Sequence, residues 1–284
     1  MTDMHSDMSQ PALPDKEKAK SDMVWSDEHL QGGANNLFGN SLYENRGVGE
    51  FAEVSDLLGF ENYWPWGISV GDLNADGYED VFVSSSMSFP FRYGINSVLL
   101  NAEGTRFLDS EFVLGVEPRR DNLTRIPWFE LDCSGQDREH PRCKDREGQF
   151  TLMGIVGTRA SVVFDLDGDG DLDIVTNDFY YFPQVLISDL AERKNIRFLK
   201  VKLIGKRSNR DGLGAHVKVV AGSQVYTRYH DGKWGYLSQS SLPMYFGLGG
   251  ADKVDRIEVT WPSGVNQTVS EHIELNSIIE IEEQ

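Results

Sequence analysis

Short apolar runs separated by polar turns cover most of the chain after about residue 36. Runs such as residues 81–83 and 162–164 are rich in Val, Ile and Phe, and Gly, Asn and Asp surround them. A helix needs an apolar position at every third or fourth residue over about ten residues or more, whereas a strand needs only a short run between turns. The pattern therefore predicts an all-β protein.

Two acidic loops share one spacing of oxygen-bearing residues, and the second follows the first by 93 positions. In both, Asp or Asn stands at positions 1, 3, 5 and 9, and Gly stands at position 6. Each loop has a short apolar run on either side, so we expect it to join two strands. The candidate metal-ligating residues are Asp72, Asn74, Asp76, Tyr78 and Asp80 in the first loop, and Asp165, Asp167, Asp169, Asp171 and Asp173 in the second.

This spacing is typical of a calcium site, since calcium takes six to eight oxygens and flexible loops supply them from alternate residues. Position 7, Tyr78 or Asp171, can offer its carbonyl, and the Gly at position 6 favours a sharp turn. An EF-hand would place Glu at position 12, where Val83 and Thr176 stand. The sequence therefore predicts about two Ca²⁺ ions between strands; the alternative is that these residues only form solvated turns.

The calcium affinity expected for these loops indicates in which compartment they would be occupied. With a dissociation constant of about 10⁻⁴ M, typical of extracellular calcium modules, the loops fill at about 10⁻³ M calcium and stay empty at about 10⁻⁷ M. The loops therefore favour a place outside the cytosol.

A second repeat interleaves with the acidic loops. Asn40, Ser41, Asn45 and Phe51 are matched 56 positions later by Asn96, Ser97, Asn101 and Phe107. The repeating unit is then a hairpin with an Asn and Gly turn, an acidic loop and a further strand. Repetition of such units is typical of propeller blades or a β-solenoid.

The pattern changes from about residue 198 onward. Alternating strands are predicted at residues 198–203, 216–220, 225–229, 257–261 and 278–281, with Gly, Pro, Asn and Asp turns between them and no acidic loop. These features predict a separate small β-sandwich.

Charge and cysteine content limit the partners and the compartment. The chain has 45 acidic and 27 basic residues, a net charge of −18, which disfavours nucleic acid or an anionic membrane as partner. No apolar stretch approaches the ~18 residues of a membrane span, and the first twenty residues lack a signal-peptide pattern. Cys133 and Cys143 favour a disulfide over two free thiols, and a disulfide requires an oxidising compartment.

The Asn-containing hairpin followed by an Asp-rich loop resembles the FG-GAP, or VCBS-type, repeat of integrin-α-like β-propellers. The tail resembles the ASPIC/UnbV domain through residues 206–215, 235–239, 246–249 and 259–264. Together they are similar to the cartilage acidic protein family. The resemblance implies a secreted, calcium-binding, non-enzymatic protein, linked to adhesion or matrix, that binds an unidentified extracellular protein or glycan.

This resemblance also implies a domain plan and a location. Residues 1–35 are expected to be the remnant of a preceding blade, residues 36–195 the propeller repeats with a Cys-containing insertion near 109–158, and residues 196–284 the ASPIC/UnbV β-domain. Such propellers have about seven blades, so two acidic loops predict an N-terminally truncated member. The expected location is extracellular, periplasmic or on the cell surface.

Two features support the alternative of a hydrolase or an enzyme-accessory protein with a glycan-binding aromatic surface. Residues 67–71 match the GxSxG pattern around Ser69, although an acidic loop rather than a helix follows. Aromatic residues follow both acidic loops, at Phe89, Phe91 and Tyr93 and at residues 179–182. Packing between blades is the favoured role for these rings, and an exposed face for a glycan or protein partner is the alternative.

Overall fold

The computed structural model describes residues 40–60, 65–85 and 93–284. The expected N-terminal blade remnant, residues 1–35, and the rings of Phe89 and Phe91 lie outside the described residues. The described fold is dominated by strands, as predicted. The strands are β1 (Tyr43–Gly47), β2 (Glu50–Glu53), β3 (Pro65–Gly71), β4 (Asp80–Ser85), β5 (Ser97–Asn101), β6 (Phe107–Asp109), β7 (Arg125–Asp132), β8 (Gln149–Ile155), β9 (Thr158–Phe164), β10 (Asp173–Asp178), β11 (Val185–Leu186), β12 (Phe198–Ile204), β13 (His216–Ala221), β14 (Gln224–Tyr229), β15 (Met244–Gly247), β16 (Arg256–Thr260), β17 (Asn266–Val269) and β18 (Ser277–Glu282). The helical turns are α1 (Ser55–Leu58), α2 (Leu190–Arg193), η1 (Arg120–Asn122) and η2 (Pro141–Cys143).

The first acidic loop is the turn between the first two strands of a four-stranded antiparallel sheet, β3-β4-β5-β6. Gly71 pairs with Asp80 at the loop end of this sheet. Every residue of β4 is buried, because alternate side chains of a strand face opposite sides and both sides are covered here. This sheet has the up-and-down arrangement of a propeller blade.

The second acidic loop joins β9 to β10 in the three-stranded sheet β11-β10-β9, as predicted. Phe164 pairs with Asp173 where the loop begins and ends. The two sheets pack through β3 and β9, and the Ser69 hydroxyl donates to the Ser161 carbonyl at 2.8 Å. Phe82, Val98 and Val163 belong to the shared core between the sheets.

The remaining hairpins also follow the predicted repeat. β1 pairs with β2, and β5 with β6. In the two turns, the side-chain oxygens of Asn45 and Asn101 accept a hydrogen bond from Gly47 N at 2.9 Å and Gly104 N at 2.8 Å. Within the predicted insertion, β7 and β8 form a hairpin, and a disulfide joins Cys133 to Cys143 beyond its end.

The strands from β12 onward form two sheets, β15-β12-β18 and β14-β13-β16-β17, in which β12 and β18 run parallel. Side chains from both sheets form one core, which includes Leu199, Phe246, Ile257 and Trp261. The five predicted strands are present, and β15 and β17 are additional. The sequence Asn-Gln-Thr-Val of β17 has no apolar run, so the pattern did not indicate a strand there. The domain limits at 35, 195 and 196 stay a prediction.

Candidate metal centres

The second acidic loop brings three carboxylates together. Asp165, Asp167 and Asp173 each offer a ligand atom, and these atoms all lie within 4.8 Å of one another. Asp173 is buried, and its two oxygens accept hydrogen bonds from Leu166 N at 2.7 Å and Ser188 N at 2.8 Å. Backbone amides thus fix the last carboxylate of the loop at its place in the cluster.

The other two candidates of this loop are oriented differently. Asp169 Oδ1 accepts from Asp171 N at 3.1 Å, within the loop. Asp171 is buried, and its Oδ2 accepts from Ala191 N at 2.7 Å in α2. The Asp171 side chain therefore holds α2 against the loop, and ligation by its carbonyl stays a prediction.

The electrostatics of the second loop favour a bound cation. Burial raises the pKa of Asp171 and of Asp173, and neighbouring carboxylates add to the effect. Lys200 of β12 forms an ion pair with Asp165, and both side chains are almost enclosed, at 15% and 1% exposure. One ammonium offsets only part of the negative charge of the clustered carboxylates.

The first acidic loop is organised by backbone hydrogen bonds. Asp72 accepts from Asp76 N at 3.0 Å and from Gly77 N at 2.7 Å. Asp80 accepts from Leu73 N and Asn101 N, both at 2.8 Å. Burial raises the pKa of Asp72 to about 6 and that of Asp80 to about 7.

Hydrogen bonds also fix the middle of the first acidic loop. The Asn74 side-chain amide donates to Asp76 Oδ2 at 2.9 Å, and Tyr78 N donates to Asp76 Oδ1 at 2.8 Å. Lys194 Nζ donates to the Asn74 carbonyl at 2.9 Å. The carboxylates of this loop belong to Asp72, Asp76 and Asp80. Among the described residues, their oxygens do not all lie within 4.8 Å of one another, as those of the second loop do.

Both position-6 glycines have the backbone conformation that the spacing predicts. Gly77 has φ +97° and Gly170 has φ +104°, in the region that favours glycine. An aromatic ring covers each of them: a Cβ on Gly77 would lie 2.8 Å from the Tyr226 ring, and a Cβ on Gly170 would collide with the Phe198 ring. Both rings come from strands of the C-terminal sheets.

The sequence analysis missed that the C-terminal sheets sit on the acidic loops. Tyr245 donates from its hydroxyl to the Gly170 carbonyl at 3.0 Å, and Arg228 forms an ion pair with Glu79. Gly247 lies so close to Asp72 that a Cβ there would overlap the carboxylate. The glycines of residues 246–249 were the available signal, because glycine in a strand often marks a close approach of another group.

A buried polar network beside the second sheet was also missed. The Arg119 guanidinium forms an ion pair with Asp178 and donates to Thr158 Oγ1 at 2.8 Å and to the Tyr93 hydroxyl at 2.7 Å. The Tyr93 hydroxyl in turn donates to Glu117 at 2.7 Å. These residues are distant in sequence, so no local pattern could have indicated the network. It fixes the start of the insertion to β9 and β10.

The two sequence features that suggested a hydrolase or a glycan-binding surface differ in burial: Ser69 is buried, whereas aromatic rings after the second acidic loop are exposed. Ser69 lies inside β3, is buried, and shares a 2.8 Å hydrogen bond with the Ser161 hydroxyl, so residues 67–71 do not form the strand, turn and helix of a nucleophile elbow. Tyr180 and Phe182, in contrast, are 67% and 76% exposed.

Two segments of the chain match known family models, and most of the chain is similar to known proteins. Residues 20–83 match the family model of an FG-GAP-like repeat, and residues 205–284 match that of ASPIC and UnbV. The chain is also similar to cartilage acidic protein 1 of Xenopus tropicalis, at 26% identity over 273 residues, of Homo sapiens, at 27% over 271 residues, and of Mus musculus, at 35% over 285 residues. Sequence similarity to cartilage acidic protein 1 therefore extends over most of this chain.

The homology covers 85% of this chain but only 40% to 41% of each relative, so the chain spans about two fifths of the length of these relatives. The FG-GAP-like match contains the whole first acidic loop, and the ASPIC/UnbV match contains the strands that pack on it. Within the described part of the chain, no helix has the length and apolar character needed to cross a membrane.

Proposed function

We propose that this protein is an extracellular, non-catalytic binding protein in which calcium ions, one in each acidic loop, hold the blades to the C-terminal domain. The observation that carries the proposal is the cluster formed by Asp165, Asp167 and Asp173. Hard carboxylate oxygens without His or Cys are the donor set that calcium prefers.

A cation in each loop has a clear structural role. When bound, calcium supplies positive charge that offsets the mutual repulsion and the desolvation of the clustered carboxylates. The loops lie beneath Tyr226, Phe198 and Tyr245 of the C-terminal sheets, so ordering the loops also orders the surface on which those sheets rest. At 10⁻³ M calcium and a dissociation constant of about 10⁻⁴ M, each ion stabilises the folded chain by about 1.4 kcal/mol.

An extracellular location is supported by the disulfide between Cys133 and Cys143, since disulfides persist in oxidising compartments. The homology to cartilage acidic protein 1 points the same way. Weak calcium sites are also of use only where free calcium is high.

The partner is proposed to be an extracellular protein or glycan. Two groups of exposed rings form an aromatic surface. In one group, Trp128 contacts Phe129 and Tyr180, with the Trp128 and Tyr180 centroids 6.1 Å apart; in the other, Tyr181 contacts Phe182. Phe179 is instead used in packing, because the Arg159 guanidinium lies between its ring and that of Trp66. The exposed rings are suited to contacts with a partner and the packed ring to stability.

Calorimetric titration with calcium tests the proposal. We expect about two sites in the unmodified chain, and one fewer site in each of Asp173→Ala and Asp80→Ala. Asp252→Ala serves as the control, because Asp252 is exposed and outside both loops. Absence of binding heat at millimolar calcium would overturn the proposal, and so would retention of both sites in the two loop variants.

A further inference from the structure

A cavity of about 650 Å³ lies between the blades and the C-terminal sheets. Its walls come from both parts of the chain, with Val70 and Val163 from the blades and Thr227, Trp234 and Tyr245 from the C-terminal part. Small-molecule sites usually have volumes of about 300 to 1,000 Å³ and occur where two structural units meet. The cavity therefore has the size and the position of a ligand site.

Much of the wall is apolar. Val70, Val163, Leu172, Trp234 and Met244 contribute hydrocarbon or aromatic surface to it. Val70 is 39% exposed although it lies within the blade strand β3. Water against such a wall is unfavourable, so an apolar ligand gains binding free energy in proportion to the apolar area that it covers.

The charges of the wall cancel. The lining includes three acidic residues, Glu79, Asp165 and Asp231, and three basic residues, Lys200, Arg228 and Lys233. Lys200 is paired with Asp165, and Arg228 with Glu79. A ligand charge placed beside either pair would have to break that pair and leave one partner unneutralised, which is costly for side chains as little exposed as these.

Hydrogen-bonding groups are concentrated at the edge formed by β14. Thr227 and Tyr229 both line the cavity, both are exposed, and each carries a hydroxyl. Residues two apart in a strand face the same side, so these two groups form one polar edge.

We propose that the cavity binds a neutral, mostly apolar small molecule that carries a hydrogen-bonding group at one end. The wall selects such a ligand by its apolar surface, its paired charges and the polar edge on β14. Asp165 belongs both to the second acidic loop and to the cavity wall, and its pair with Lys200 is intact when no calcium is bound, so ligand binding is measured in EDTA as well as with calcium.

A pair of fluorescent dyes tests the proposal on the whole chain. N-phenyl-1-naphthylamine is neutral, and 8-anilino-1-naphthalenesulfonate has the same ring system with one sulfonate. We expect saturable one-to-one binding of the neutral dye both with calcium and with EDTA, and at least tenfold weaker binding of the anionic dye in EDTA, where the Lys200–Asp165 pair is intact. Failure of calcium binding would leave this result unchanged, so the two proposals fail separately.

Substitutions in one strand locate the binding. Thr227→Trp places a large ring in the cavity and should weaken binding of the neutral dye at least tenfold. Val225→Trp is the matched control, because Val225 is 54% exposed, lies two residues earlier in β14 and does not line the cavity. Leu242→Trp, on another segment of the lining, gives a second test if Thr227→Trp does not fold.

Three outcomes would overturn the proposal. They are a neutral dye that does not saturate in either buffer, equal loss of binding in the Thr227 and Val225 variants, and an anionic dye that binds as tightly as the neutral one in EDTA.

Discussion

At the scale of single residues, Gly247 of the C-terminal domain lies directly against the candidate metal ligand Asp72. Gly247→Ala would force a methyl group against the Asp72 carboxylate. We expect the free energy of unfolding to fall by about 1 to 3 kcal/mol, as for other overpacked sites. Gly250→Ala is the control, because a Cβ there meets nothing within 4 Å. Equal urea midpoints for the two variants would contradict the close approach.

Lys200 is the residue that connects the second acidic loop to the C-terminal domain through charge. Lys200→Met removes the ammonium from Asp165, so calcium should bind this loop at least tenfold more tightly, since a unit charge and a divalent ion about 4 Å apart repel by about 2 kcal/mol even in water. The metal-free chain should be less stable, because Asp165 loses its partner.

The control for this variant is Lys202→Met. Lys202 is 50% exposed and pairs with Glu280, away from the loop. Calorimetry should show no change in calcium affinity for Lys202→Met. Unchanged or weaker calcium binding by Lys200→Met would count against the proposed site.

At the scale of elements, the end of β18 is anchored by a carboxylate. Glu283 accepts hydrogen bonds from the backbone N–H groups of residues 206, 207 and 208 and from the Ser263 hydroxyl. Burial raises the pKa of Glu283, but hydrogen bonds from Ser208 N, Ser263 and Lys206 N outweigh it and lower the pKa from 4.5 to about 2. The ionised form is therefore the one that the fold binds.

This anchor predicts a dependence of stability on pH. A folded-state pKa below the unfolded value gives stability that is fully present above pH 4.5 and is lost as the pH falls towards 2. Glu283→Gln should lower stability at pH 6 and have little effect near pH 2, as measured by urea unfolding at both values. Glu274→Gln, at an exposed position, should change neither. An equal loss for Glu283→Gln at both pH values would contradict the anchor.

Most elements were predictable because they depend on local pattern. The position-6 glycines, the strands beside the acidic loops and the five β-branched strands of the C-terminal part follow from spacing and alternation. The polar edge strand β17 was not predictable, because packing rather than its own residues makes it a strand. The residues of β15, Met-Tyr-Phe-Gly, do favour a strand, but the run is only four residues long and was not among the predicted strands.

At the scale of the whole molecule, the sequence could not indicate where the acidic loops lie. Their residues are typical of solvated turns, yet Asp72, Asp80 and Asp173 are almost fully buried. The burial arises from contacts between distant segments, such as Tyr226 on Gly77 and Tyr245 on Gly170. Such contacts depend on tertiary packing, which neither repeat spacing nor hydrophobic alternation encodes.

The acidic loops contact the C-terminal domain as well as the blades to which they belong. Lys200, Arg228 and the rings of Tyr226 and Phe198 all come from the C-terminal domain and all meet an acidic loop. We therefore propose that calcium joins the two parts of the chain and that a partner binds on the exposed aromatic surface.

The most direct measurement is an anomalous difference map from crystals grown with calcium. From the calcium proposal we expect two peaks. One should lie within about 2.3 to 2.6 Å of oxygens from Asp165, Asp167 and Asp173, and the other among the oxygens of Asp72, Asn74, Asp76 and Asp80. A map with no anomalous peak at either loop would contradict it.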